Sequence, residues 1–280
     1  MRPERSDRLQ RLADALEPRF RRTRFRRAVH YVCWICEDPR TLGLQRLNFI
    51  LWYADRNLYL RRGRPLGGAT YLRYHPGPRA LPLDAQLREL ERDGLIARRQ
   101  RGSGTEVDLL FALGPPDLAA LDAEEVGELE AAMRGVCLDA RATIPHRMAH
   151  DTVWRAALIG ETLPYFTAYA GRSGDLLPAD LQWAAREVNA GASTDMLRIS
   201  GAEHPRGAEV IAALLWHLRR EPAIGISLPA SEGSWFVHKQ AGIAEASIPE
   251  VTVVYRFELD ELLPAAIRFG PVPDELDDET

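Results

Sequence analysis

Between Leu42 and Leu60 the chain carries a helical segment that is apolar around most of its circumference, and only a fold that wraps other elements about it can keep it from water. Leu44, Leu47, Leu51, Ala54 and Leu58 recur at helical spacing on one stripe, while Phe49, Ile50, Trp52 and Tyr53 cover much of the rest. The segment is therefore expected at the buried centre of a domain. A shorter helix, from about Ala28 to Glu37, precedes it and ends at Asp38-Pro39, because the residue before proline avoids helical angles.

The elements that follow are marked by their punctuation. Gly63, Pro65, Gly67 and Gly68 indicate one loop and His75-Pro76-Gly77-Pro78 another. Leu83, Leu87 and Leu90 define a helix closed by Gly94; a hairpin comes next, from Leu95 to Gln100, through the turn Arg101-Gly102-Ser103-Gly104, to a strand with Val107, Leu109 and Phe111. A helix followed by a hairpin is a winged-helix-like arrangement. Beyond Gly114-Pro115-Pro116, Asp122 and Glu125 stand at capping-box spacing before a helix, and a further helix is expected from Asp151 to Ile159.

A glycine- and proline-marked linker is expected at 171–180, and a second unit at 181–273 with a different rhythm. That unit has a short segment from Met196 to Ile199 and a helix from Pro205 to Arg220. Strand-like runs then span Ile224 to Leu228, Trp235 to His238, Val251 to Phe257 and Leu263 to Phe269. The expected class is α+β: a mostly helical domain over 28–170 with a winged-helix-like hairpin, then a smaller helix and antiparallel sheet.

Charge is unevenly spread. The net charge is -4, yet residues 1–27 hold ten arginines against four acids, with Leu9, Leu12, Ala13 and Leu16 at helical spacing, and 274–280 form an acidic tail. The basic stretch reads as an amphipathic helix or arm packed on the domain, with operator DNA as the alternative contact. Lys239 is the only lysine among 36 basic residues. Nothing at the N-terminus resembles a signal peptide, no apolar run is long enough for a bilayer, and the three cysteines are sparse, so a soluble cytoplasmic protein is expected.

His30, Cys33 and Cys36 share one side of a helix, but no fourth ligand accompanies them. They, with Cys137, read as buried structural residues, and neither a metal nor a cofactor is expected. Phosphate-loop, dinucleotide, zincin and hydrolase-elbow motifs are absent from the sequence.

One set of residues carries a family resemblance. Leu44-Gln45-Arg46-Leu47, continuing to Tyr53-Ala54-Asp55, is similar to the hallmark helix of the Panacea (SocA-like) antitoxin domain. Gly63-Arg64-Pro65-Leu66, Tyr71, Gly77-Pro78 and the stretch from Leu87 through Gly94 to Ile96 follow in the order of that family. His150, Trp154 and the Pro164-Tyr165 end complete the match over about 29–165. Asn48, in place of an apolar residue, and His75-Pro76, in place of an aromatic one, depart from the pattern. The resemblance implies an antitoxin that neutralises a toxin, usually encoded next to it, by protein contact and without catalysis. Asp55 and Pro78 also fit a purely structural role in backbone geometry.

A fainter likeness, in Leu215 to Gly225 and in Val253 to Phe257, is to RelE/ParE-type toxins. It implies a fused antitoxin and ribonuclease, with His238, Lys239, Arg256 and Arg268 as candidates for gripping RNA phosphates. Glu258, Asp260 and Glu261 beside that strand oppose RNA, and a catalytically silent sheet domain is the other reading. A winged-helix transcription factor is the third. The helix from Leu83 to Asp93 exposes Asp84, Glu89, Glu91 and Asp93, which disfavours DNA and suggests that this acidic face docks a cationic toxin.

Overall fold

The apolar segment folds as expected, into a helix over Leu44–Arg62 (α2) that follows a helix over Arg22–Ile35 (α1). Both belong to a computed structural model that describes residues 15–38, 41–100, 108–138, 144–194, 196–201, 203–228, 234–258 and 261–273. The chain is α+β and divides into two units, Met1–Ala168 and Tyr169–Thr280. The turn at 101–104, residues 1–14 of the basic stretch and the tail at 274–280 lie outside the described residues.

In the first unit α2 buries Leu47, Phe49, Ile50, Leu51, Trp52, Ala54, Leu58 and Tyr59, and Gly63 ends it in the left-handed conformation with φ 65°. Around it lie α1, the short pair β1 (Tyr71–Arg73) and β2 (Pro78–Ala80), and a helix over Ala123–Met133 (α4). Asp122 and Glu125 make the expected capping box on α4. The helix Leu83–Arg92 (α3) leads into the antiparallel hairpin of β3 (Ile96–Gln100) and β4 (Asp108–Ala112). Helix α4 continues as a π-helical turn, Arg134–Leu138, before two short helices, Ile144–His150 (α5) and Thr152–Ala156 (α6).

Two expectations in this unit are corrected. Helix α1 begins at Arg22, not Ala28, so residues 22–27 are no separate arm. Their guanidinium groups reach acids on neighbouring elements, pairing Arg22 with Glu89, Arg24 with Glu125, Arg26 with Asp93 and Arg27 with Asp117. The helix expected from Asp151 to Ile159 stops at Ala156, and 157–161 form a turn that runs back along β1.

The centre of the unit is polar. Asp55, 2% exposed, accepts hydrogen bonds from the Gly67 backbone N–H at 2.8 Å and the Tyr71 hydroxyl at 2.8 Å, and the Tyr165 hydroxyl lies 3.0 Å away. Burial pushes the Asp55 carboxyl up, against the pull of these donors. Tyr165 has one proton to give and also stands 2.9 Å from the Ala69 carbonyl. That single proton is therefore shared between two acceptors, Asp55 Oδ2 and the Ala69 carbonyl.

The second unit is a five-stranded sheet in the order β5-β9-β8-β7-β6, comprising Arg198–Gly201, Glu261–Phe269, Val251–Glu258, Trp235–Gln240 and Ile226–Ser227 respectively. Strand β5 runs parallel to β9, so the sheet is mixed rather than wholly antiparallel. The cause is chain order: the helix Gly207–Arg220 (α8) carries the chain from β5 to the far edge, and the meander β6 to β9 ends beside β5. Residues 171–180 are not a free linker. Gly174 N–H donates to Lys239 O at 2.8 Å, Ala241 N–H donates to Arg172 O at 2.9 Å, and Pro178 starts a helix, Pro178–Asn189 (α7). Proline at a first helical turn is compatible with the helix, which is why it reads equally well as loop punctuation.

Helix α7 places Trp183 and Ala184 against Trp235, Val237, Val254 and Ala266 on one face of the sheet. Strand alternation directs His238 to the other face, where His217 of α8 is its neighbour. Asp55→Ala is expected to lower the unfolding free energy by about 3 kcal/mol or more, because two buried donors lose their acceptor, and Tyr71→Phe by about 1 kcal/mol. Urea unfolding followed by circular dichroism measures both.

Candidate functional site

The hub around Asp55 fixes β1, and β1 fixes one wall of a groove. Leu163 N–H donates to Tyr71 O at 2.8 Å, Arg73 N–H to Glu161 O at 2.7 Å and Gly160 N–H to Arg73 O at 2.7 Å, so residues 160–163 run alongside β1. The opposite wall is α5 and α6. Asp151 caps α6 by accepting from Trp154 N–H at 2.8 Å, and it pairs with Arg56 of α2, which ties α6 to the core.

Between these walls is a groove of about 370 Å³, with Arg73, Tyr74, Met148, Trp154, Arg155 and Ile159 among its lining. Ile159 and the adjacent Leu158 are each 71% exposed and Tyr74 49%, large values for apolar and aromatic side chains. Arg73 lies over the Trp154 ring at 5.5 Å and Arg79 over the Tyr74 ring at 5.5 Å. Aromatic rings held by arginine and flanked by open aliphatic groups are the composition of protein-binding surfaces. Of this set the sequence singled out only Trp154. Ile159 stood at the end of an expected helix and Tyr74 before a loop; the apolar pair Leu158-Ile159 ahead of Gly160 was the available signal.

A second concavity, of about 520 Å³, lies against α1 and α3 and is lined by Arg22, Arg26, Arg27, Arg92 and His30 together with Glu89 and Asp117. Its cations are matched by acids. His30 Nε2 donates to Gly114 O at 3.1 Å, and burial lowers its pKa, so it adds no charge. The acids of α3, expected to face a cationic partner, are ion-paired within the unit while staying part-exposed. Glu89 and Asp93 take Arg22 and Arg26, Glu91 takes Arg98 and Asp84 takes Arg79.

Most of the motif positions serve the fold. Leu47, Ala54, Asp55, Pro65, Tyr71, Gly77, Pro78 and Tyr165 are buried, Leu44, Tyr53, Gly63 and Pro164 are half-buried, and Gly94 closes α3 at φ 69°. Gln45 is exposed on α2. His150 is also exposed, its Nδ1 donating to His146 O at 2.8 Å, and a helix break at Asp151 separates it from Trp154. Asn48 has a backbone role of its own, donating to Leu44 O and accepting from Ala80 N–H, each at 2.8 Å. Cys33 and Cys36 are buried, and among the described residues no three His, Cys, Asp or Glu side chains gather as a metal site.

In the second unit the four candidate phosphate-gripping residues do not form a cationic cluster. Lys239, 3% exposed, donates to Asp180 Oδ2 at 3.0 Å and pairs with Glu250 Oε1 at 2.8 Å. Burial works against its charge, but the two carboxylates hold the ammonium above its ordinary pKa. His238 is 3% exposed, and burial, reinforced by His217, lowers its pKa to about 4. Arg256 pairs with Glu258 at 2.6 Å and lies over the Trp235 ring, while Arg268 donates to Pro271 O at 3.3 Å.

No described helix is long and apolar enough to cross a membrane. No family model, no curated protein and no solved structure matches the chain.

Lys239→Met would strand the buried Asp180 carboxylate and is expected to cost the fold about 3 kcal/mol, read by urea unfolding. His238 gives a pH prediction. Its folded pKa is depressed, so its contribution is complete above the unfolded value near 6.5 and is lost as pH falls toward about 4. Thermal unfolding should show a declining Tm across that window, and His238→Leu should flatten it.

Proposed function

We propose that the chain is an antitoxin that neutralises a partner toxin in the cytoplasm by direct binding, and that the groove between β1 and α5–α6 is the contact surface. The observation that carries this reading is the exposed pair Tyr74 and Ile159 lining the groove, with exposed Leu158 next to Ile159 in the chain, in the unit whose sequence resembles Panacea antitoxins. Charge points the same way. The described arginines of 22–27 that would meet DNA are engaged by carboxylates in their own unit, and a duplex would have to displace those acids to be held. The ribonuclease reading of residues 181–273 asks for free cations, whereas Lys239 is enclosed by carboxylates and His238 is neutral at physiological pH.

The test is co-expression with the product of the adjacent open reading frame. Growth should be arrested by that product alone and restored by this chain. Tyr74→Ala and Ile159→Asp should weaken the purified complex by about thirtyfold each, the effect of losing an interface anchor worth about 2 kcal/mol, with thermal unfolding unchanged. Ile226→Ser, an exposed position in the other unit, should bind as wild type. A neighbour that is harmless, or that stays toxic beside this chain, overturns the antitoxin reading. Full rescue by both groove variants overturns the surface. Growth arrest by the full chain alone, relieved by Arg256→Ala, would favour the ribonuclease instead.

A further inference from the structure

Two cysteines that lie 101 positions apart in the sequence both approach Thr41 in the first unit. Cys36 follows the last residue of α1, and Cys137 lies in the π-helical turn that continues α4. Both thiols are free, and each perturbs the titration of the other. Both bracket Thr41: Cys36 Sγ is 3.6 Å from Thr41 Oγ1, and Cys137 Sγ is 3.9 Å from Thr41 O. The Arg46 guanidinium donates to the same Thr41 carbonyl at 2.5 Å, which puts a cation beside the pair. A π-turn widens the helix by one residue and re-aims the side chains it carries, and here it brings Cys137 to the Thr41 carbonyl.

We propose that Cys36 and Cys137 are a reversible disulfide site, oxidised by reagents of the hydroperoxide class. The two thiols are differently poised. The neighbouring Cys137 thiol, with help from Thr41 and the Asp38 backbone, lowers the Cys36 pKa to about 6 despite burial and the Asp38 charge. Cys137, whose Sγ faces the Thr41 carbonyl, is pushed upward. Cys36, whose thiol donates to Asp38 O at 3.3 Å at rest, is the group that ionises more readily and so the nucleophile, and Cys137 is the resolving thiol. The Cys36 thiolate attacks one peroxide oxygen, the O–O bond breaks, and the departing hydroxide takes a proton to become water. Cys137 sulfur then attacks the sulfur of the Cys36 sulfenic acid, giving up its proton, and the S–O bond breaks with loss of a second water. Two thiols have lost two electrons and two protons, and the peroxide has become two waters. A dithiol reverses the reaction by exchange.

Cys33 is the internal control. It is 3% exposed, and burial, with the neighbouring Cys36, raises its pKa to about 12.

The experiment is a peptide map of the full chain treated with stoichiometric hydrogen peroxide, alkylated and digested without reduction. The expected product is a Cys36–Cys137 cross-linked peptide lighter by two hydrogens, with Cys33 alkylated, and dithiothreitol should restore both thiols. Cys33→Ser should keep the cross-link. Cys137→Ser should leave a sulfenic acid on Cys36 that dimedone traps. The wild-type map is decisive even if a variant fails to fold. A cross-link to Cys33, three alkylated thiols after peroxide, or sulfinic acid on Cys36 without any cross-link overturns the proposal.

Discussion

The carboxyl of Asp55 is the interaction on which the first unit depends. A polar group at the centre of an apolar helix is costly unless its partners are supplied, and they come from three separate segments: Gly67, Tyr71 and Tyr165. Satisfying it fixes the loop after α2, the start of β1 and the end of the unit in one place. It also fixes what passes over that loop. A Cβ on Gly67 would stand 2.8 Å from the Phe25 ring, so α1 packs there only because residue 67 is glycine. The groove inherits the same constraint, since β1 and residues 160–163 are positioned by the two tyrosines of the hub.

The arrangement of charge says more about the surface of the first unit than the total does. In the linear sequence the basic N-terminal stretch and the acidic helix α3 look like two free surfaces of opposite sign. In the fold two pairs, Arg22–Glu89 and Arg26–Asp93, join them directly, and the other described charges of both pair with neighbouring elements. The pairs are mostly part-exposed, so each contributes little to stability. Their effect is to balance charge locally across a polar surface, beside which Tyr74, Leu158 and Ile159 stand out as exposed aromatic and aliphatic groups.

Local signals were legible in the sequence and long-range ones were not. The apolar stripe of α2, the Asp122–Glu125 capping box and Gly94 after α3 are short-range chemistry, and each appears where its spacing put it. Helix α7 was hidden because Pro178 reads as a break when its role as a first-turn residue is not known. The parallel pairing of β5 with β9 follows from where α8 returns the chain, which no local pattern encodes. The groove and the cysteine pair were missed for the same reason. Tyr74 and Ile159, or Cys36 and Cys137, are unremarkable singly and acquire meaning only when the fold brings them together.

The two units handle buried charge in contrasting ways. Asp55 is enclosed by neutral donors and by burial that favours its protonated form, whereas Lys239 keeps its charge because Asp180 and Glu250 surround it. Asp180 also accepts from Leu177 N–H at 2.8 Å, so a single carboxylate caps α7 and binds it to β7. An apolar residue at 239 would pack equally well but would not select one position of α7 along the sheet. The ion pair supplies that selection, because a shift of the helix by one residue would leave a buried carboxylate and an ammonium unpaired. The lone lysine of an arginine-rich chain is therefore explained by geometry. A slender ammonium on a flexible stem can reach two carboxylates in a space that a planar guanidinium would fill differently.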